Sequence, residues 1–147
     1  MGEHDPIEIA ARALQHRDRS RREVEQRLTR AGIDEDRRAD ALDTLERVGY
    51  VNDGRFARAR ALALANRGYG DEWIRLDLTE HGVAAEAAAE AVASLDPEGD
   101  RASALVTRLG RSAKTGAHLA RKGFSEGALE TALGIDLADG GFADTAG

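Results

Sequence analysis

The chain has 147 residues, with 27 acidic against 21 basic side chains and a formal net charge of −6. It contains no cysteine, which excludes disulfides, thiolate zinc sites and thiol catalysis. No apolar run approaches the ~18 to 20 residues of a membrane span, and the polar start Met1 to Pro6 has no secretory apolar segment, so a cytoplasmic protein is expected.

Alanine, leucine, arginine and glutamate dominate, and no stretch shows the period-two alternation of a strand, which predicts an all-α chain. Ile7, Ala10, Ala11 and Leu14 mark one face of a first helix ending near Arg17. Ser20 and Glu23 form a capping box that opens a second helix carrying Val24, Leu28 and Ala31, closed by Gly32 as a left-handed cap. A third helix from about Asp34 to Arg47 carries Ala41, Leu42, Leu45 and Val48, with acids in its first turn where the dipole favours them. The turn Gly49-Tyr50-Val51-Asn52-Asp53 leads into a helix capped by Asn52 or Asp53, with Phe56 and Ala57 at its start. After Gly68 and Gly70 comes a helix with Trp73, Ile74, Leu78 and His81, then Gly82, then an alanine-rich helix to Leu95. Pro97 precedes a helix carrying Ala102, Leu105, Val106 and Leu109. A short helix ending at Lys122 and a last one from Ser125 to Leu133 follow, and residues 136–147 read as an acidic mobile tail.

A repeat runs through these elements. Leu28-Thr29-Arg30-Ala31-Gly32-Ile33, Leu78-Thr79-Glu80-His81-Gly82-Val83 and Leu119-Ala120-Arg121-Lys122-Gly123-Phe124 share Leu, three variable residues, Gly and a large apolar residue. At one fixed offset downstream stand Ala41-Leu42, Ala91-Val92 and Ala132-Leu133. Such self-similarity marks stacked helical units, each too small to offset its ordering entropy alone. The expected units are 1–49, 50–96 and 97–135, three tandem three-helix repeats in an elongated, curved array. The third copy places Thr115-Gly116 where the others begin with apolar Val24 and Ile74. A glycine inside a short helix costs about 1 kcal/mol relative to alanine, which predicts a frayed helix there.

Charge is polarised along the chain. Residues 71–100 hold nine acids and one base, whereas 101–125 hold six bases and no acid. Two further basic stretches run from Arg17 to Arg30 and from Asn52 to Gly68. Nineteen of the 21 bases are arginine, whose planar guanidinium suits phosphate and carboxylate. Little points to catalysis: His4, His16, His81 and His118 are scattered, and no serine sits in a nucleophile-elbow context. Gly68-Tyr69-Gly70 lacks the lysine and the strand of a phosphate loop. Asp34-Glu35-Asp36 reads as a dipole-matched first turn. No enzyme activity, cofactor or metal is expected.

The stretch Gly49-Tyr50-Val51-Asn52-Asp53-Gly54-Arg55-Phe56-Ala57, followed by Gly70, Ile74, Leu78 and Gly82-Val83, closely resembles the signature of the RecX family of bacterial RecA regulators. Leu119-Ala120-Arg121-Lys122-Gly123-Phe124-Ser125 is similar to a second segment of that family, and the resemblance extends over about Ala10 to Leu133. It implies three tandem three-helix repeats, and binding in the groove of the RecA–single-stranded DNA filament. It further implies inhibition of recombinase, ATPase and co-protease activity, hence a role in recombination, DNA repair and the SOS response. Most of the matching positions, Gly49, Tyr50 and Ala57 among them, are read as structural; Asp53 is expected to cap, Phe56 to pack and Arg55 to be exposed as a contact. Candidate contacts to RecA or its filament are Arg17, Arg19, Arg21, Arg22, Arg55, Arg58, Arg121 and Lys122. Many members of the family are basic overall, so at −6 only weak direct DNA binding is expected, by a monomer. The alternatives are a helical nucleic-acid-binding module and a protein-interaction scaffold, each acting independently of RecA.

Overall fold

Most helices of this chain begin where a short polar side chain meets the first orphan amides. The computed structural model describes residues 5–135, and the acidic tail expected over 136–147 lies outside them, as does His4. Among the described residues the secondary structure is helical throughout: α1 (Pro6–Leu14), α2 (Arg21–Arg30), α3 (Glu35–Arg47), α4 (Asp53–Asn66), α5 (Asp71–Glu80), α6 (Ala85–Ala93), α7 (Glu98–Leu109), α8 (Ala113–Arg121) and α9 (Glu126–Leu133). Asp5, Ser20, Asp34, Asn52, Ser112 and Ser125 each accept from an amide of the first turn that follows. Both halves of the Ser20–Glu23 capping box are formed. Of the two candidate caps of α4, Asn52 serves, accepting from the Arg55 amide at 2.9 Å. Asp53 does something else, described below.

The first helix stops at Leu14, three residues before the expected end. The Arg19 guanidinium donates to the Ala13 carbonyl, so a side chain from the following loop takes the place of the next helical amide.

Three turns share one geometry. Gly32, Gly82 and Gly123 have φ of +82°, +87° and +96°. In each, the amide after the glycine bonds back to the repeat leucine: Ile33 to Leu28 at 3.1 Å, Val83 to Leu78 at 3.0 Å, Phe124 to Leu119 at 3.1 Å. This is a left-handed glycine cap that satisfies the last carbonyls of the helix. Leu28, Leu78 and Leu119 are buried, and so are Ile33, Val83 and Phe124.

The buried side chains form three clusters, one inside each consecutive helix trio. The first holds Val24, Leu28, Ala41, Leu42 and Leu45, with Val51 closing it after the chain has left α3. Phe56, Ile74, Leu78 and Val92 make the second, and Val106, Leu119, Phe124, Leu129 and Leu133 the third. Burying each leucine contributes about 1.5 to 3 kcal/mol. The extensive helix–helix contacts also fall within trios. Helix α8 is complete over Ala113–Arg121 rather than frayed. The Ser112 hydroxyl caps it by accepting from the Thr115 amide at 3.1 Å, and Thr115 takes the inward position held by Val24 and Ile74, with only 6% of its surface exposed.

The trios are joined by the start of one second helix resting on the turn after the next. Ser20, the cap of α2, donates its hydroxyl to the His81 carbonyl at 2.7 Å, and Arg22 donates to the Glu80 carbonyl at 3.1 Å. Gly70, the cap of α5, donates its amide to the Lys122 carbonyl at 2.8 Å. The Ser20 and Gly70 contacts reach the residue just before the turn glycine, His81 before Gly82 in one case and Lys122 before Gly123 in the other.

Candidate functional site

The expected contact residues sit on or beside these two junctions, and most are engaged within the chain. Arg17 pairs with Glu23 at 3.1 Å, and Arg21 bridges Asp43 (3.1 Å) and Glu46 on α3. Arg19 is spent on the Ala13 carbonyl and Arg22 on that of Glu80. Arg55 is not the exposed contact anticipated from its motif. Its Nε meets both oxygens of Asp18, at 3.1 and 3.0 Å, while Nη1 and Nη2 donate to the Gly49 and Tyr50 carbonyls at 3.0 and 3.2 Å. Asp53 accepts from the Arg21 amide at 2.7 Å, so this carboxylate caps α2 from across the junction instead of capping its own helix. A charge at that helix start is favourable, since the dipole there is positive.

Arg58 and Arg121 are exposed and form no ion pair among the described residues. Lys122 lies over the Tyr69 ring, its Nζ 3.6 Å from the centroid. Tyr69 and Trp73 stack at 4.0 Å and both pack against the second core. Arg101, which was not singled out from the sequence, ties the second junction together. It pairs with Asp71 at 2.7 Å and donates to the Tyr69 carbonyl at 3.0 Å. Glu98 completes the junction, accepting from the Asp71 amide (2.8 Å) and the Ser125 hydroxyl (2.8 Å). Arg101 and Glu98 carry no local signal: their partners lie about thirty residues away.

Electrostatics follow from these pairings. Burial alone pushes the Glu23 carboxyl up, but hydrogen bonds from Arg17 and the Ser20 amide outweigh it and hold it below the ordinary carboxylate range. The Arg60 guanidinium is raised by its two hydrogen bonds to Asp77, at 2.7 and 2.9 Å. Burial lowers Arg19, helped by the nearby charges of Arg17 and Arg27.

A shallow cleft of about 220 Å³ opens at the first junction, lined by Arg17, Asp18, Phe56, Ala59, Arg60 and Ala63. It holds no nucleophile paired with a base. His81 is turned onto its own helix, with Nδ1 2.8 Å from the Asp77 carbonyl, and its ring lies 5.8 Å from that of Phe56. Among the described residues no group of three or more His, Asp or Glu gathers as a metal site, and no helix is long and apolar enough to cross a membrane. The described residues thus form small helical cores joined by polar, arginine-rich junctions.

Comparison with known proteins agrees with that form. Residues 7–45 match the family model described as RecX, first three-helix domain, and residues 52–92 the one described as RecX, second three-helix domain. The Regulatory protein RecX of Xanthomonas oryzae pv. oryzae (strain PXO99A) is 33% identical, over 93% of this chain and 91% of its own length. That of Stenotrophomonas maltophilia (strain R551-3) is 34% identical, over 93% and 90%. The chain belongs to the RecX family. Its fold is shared with the crystal structure of RecX from Lactobacillus salivarius, with a TM-score of 0.78 at 23% identity over 90% of this chain and 95% of that one. A second crystal structure of regulatory protein RecX gives 0.72 at 19% identity, over 86% and 71%. The relatives it matches are named as regulatory proteins.

Proposed function

We propose that this protein is a non-enzymatic, cytoplasmic regulator that binds RecA and the RecA filament on single-stranded DNA and inhibits recombinase, ATPase and co-protease activity. The observation that carries the reading is membership of the RecX family over nearly the whole chain, with relatives named as regulatory proteins. It acts as a monomer of three units, 1–49, 50–96 and 97–135, that lie along the filament. The polarised charge supports this, since a groove between filament subunits presents phosphate on one wall and mixed charge on the other. Exposed Arg58 and Arg121 are the candidate contacts that remain open to a partner. Arg21 and Arg22 are committed to carboxylates and a carbonyl of this chain, so reversing them would confound binding with folding.

The test is DNA-dependent ATP hydrolysis by the cognate RecA, with this protein titrated in at near-physiological salt. Inhibition well below one molecule per RecA subunit is expected for a filament cap, and inhibition near stoichiometry for a groove-coating protein. No inhibition, with RecA and DNA both active, overturns the reading. Reversing Arg58 and Arg121 to glutamate is expected to weaken inhibition at least fivefold without changing helicity. A reading as an independent single-strand binder is less well supported, because the stacked Tyr69 and Trp73 are packed on the core and capped by Lys122 rather than open to bases.

A further inference from the structure

The motif Gly49 to Ala57 exchanges two roles relative to expectation. Arg55, read as the exposed contact, is a brace. Tyr50, read as structural, stands out of the surface with 61% of its area exposed, beside Val48 at 56%. These are the two most exposed large apolar side chains among the described residues.

Their exposure is imposed by the backbone. The chain turns at Gly49, with φ of +86°, and the amides of Tyr50 and Val51 both bond to the Leu45 carbonyl, at 2.8 and 3.1 Å. Val51 then enters the first core, only 2% exposed, which turns its neighbour Tyr50 outward. Arg55 locks this arrangement from the first turn of α4. One face of its guanidinium holds the carbonyls of Gly49 and Tyr50, and its Nε is anchored on Asp18. The direction of Tyr50 is therefore set from Leu45 of α3 and Arg55 of α4, with Asp18 of the loop before α2 holding the arginine.

Such a turn has the properties of a binding anchor. Tyrosine offers a large rigid area with few torsions to order, and it is enriched at the energetic centres of protein interfaces. Because the turn is ordered before any partner arrives, little entropy is lost on association. The local charges say which kind of partner fits. Arg55 is paired with Asp18, and Arg21 with Asp43 and Glu46, while Arg47 lies 3.5 Å from Thr44 Oγ1 of its own helix. A base-stacking platform would surround its ring with cations open to phosphate. Here Arg55 and Arg21 are committed to carboxylates of this chain, Arg47 is left as a single exposed cation, and what the turn mainly presents is an aromatic ring and an isopropyl group.

We infer that Tyr50, with Val48, is an anchor that enters an apolar pocket on a protein partner, and that Arg55 is the positioning residue that aims it. The inference rests on the regulator reading, in which the partner surface is a RecA subunit of the filament.

The experiment measures half-inhibition of RecA ATPase, and direct binding to RecA filaments, for the full chain and the variants Tyr50→Ala, Tyr50→Phe, Arg55→Gln and Tyr50→Ala/Arg55→Gln, at about 0.15 and 0.4 M salt. Helicity and thermal unfolding are recorded for each. Tyr50→Ala is expected to weaken binding at least tenfold at both salts with unchanged unfolding, and Tyr50→Phe to stay within about twofold. Arg55→Gln is expected to weaken binding too, and the double variant to be no weaker than Tyr50→Ala, because the brace acts through the ring. Tyr50→Ala with wild-type affinity overturns the inference and leaves the regulator reading intact. A Tyr50→Ala defect confined to bare single-stranded DNA, with a steep salt dependence, overturns it in favour of base stacking. Wild-type protein that neither binds nor inhibits RecA overturns the regulator reading and this inference with it.

Discussion

The two junctions solve one packing problem with different chemistry. At the first, the cap of α2 reaches the 81–82 turn through side chains: the Ser20 hydroxyl, the Arg22 guanidinium, and the Arg55–Asp18 and Asp53–Arg21 contacts around them. At the second, Gly70 at the cap of α5 brings backbone against backbone. A Cβ on Gly70 would lie 2.5 Å from the Gly123 carbonyl carbon and the Phe124 nitrogen. A Cβ on Gly123 would lie 2.6 Å from Trp73 Cβ. Both junctions are intolerant of volume, since a Cβ on Gly82 would lie 2.7 Å from Arg22 Cβ, but rigid backbone closes in at the second and a side chain at the first. Gly32 supplies a reference. It makes the same left-handed turn, yet nothing lies within 4 Å of its missing Cβ, because no trio precedes the first. Glycine at this repeat position has two separable causes, conformation and close approach.

Substitutions can pull those causes apart. Gly70→Ala and Gly123→Ala should be the most damaging, each costing about 3 kcal/mol in chemical denaturation, since rigid backbone must move to admit the methyl. Gly123→Ala adds the strain of a left-handed alanine, about 1 to 2 kcal/mol. If Gly70→Ala unfolds like the wild type, the two trios are not in the close contact described. Ser20→Ala should cost about 1 to 2 kcal/mol, losing both a helix cap and a buried bond to the His81 carbonyl. Its effect should appear as weaker coupling between the first two trios in hydrogen exchange, with the third unaffected. Gly32→Ala carries only the conformational term, about 1 to 2 kcal/mol, and a loss as large as that of Gly123→Ala would show that close approach is not what separates them.

The smallest expected effect is a pH dependence at the first junction. The Glu23 carboxyl is held below its ordinary range, so the folded state binds its proton less readily than the unfolded one. Its stabilisation is complete above the ordinary carboxylate pKa of about 4.3 and is lost as the pH falls through the lower folded value. Glu23→Gln should flatten that part of the stability profile between about pH 5 and 2. An unchanged profile would mean that Arg17 and the Ser20 amide do not hold Glu23 in solution.

Much of the architecture was readable before any coordinates because its causes are short-range. Ser20 and Glu23 lie three residues apart, Leu28 and Ile33 five, and the caps at Asp34, Asn52 and Ser125 act on amides three residues ahead. The roles within the motif were less legible. Asp53 sits where a helix cap belongs, yet it serves the Arg21 amide 32 residues away. Arg55 meets Asp18 across 37 residues, and Ser20 meets His81 across 61. Nothing in local propensity distinguishes an arginine that braces a turn from one that faces solvent.

The division between the two kinds of information has a physical basis. The amino-acid sequence by itself determined the helical class, the caps, the glycine turns and the family, because these depend on backbone geometry and on side chains within one or two turns. Only the tertiary structure decided which arginines are spent inside the molecule, why Gly70 and Gly123 admit no Cβ, and why Tyr50 stands outside while its neighbour Val51 is buried. Those outcomes depend on which groups from distant segments arrive at the same place, where each donor finds its acceptor and each volume its limit.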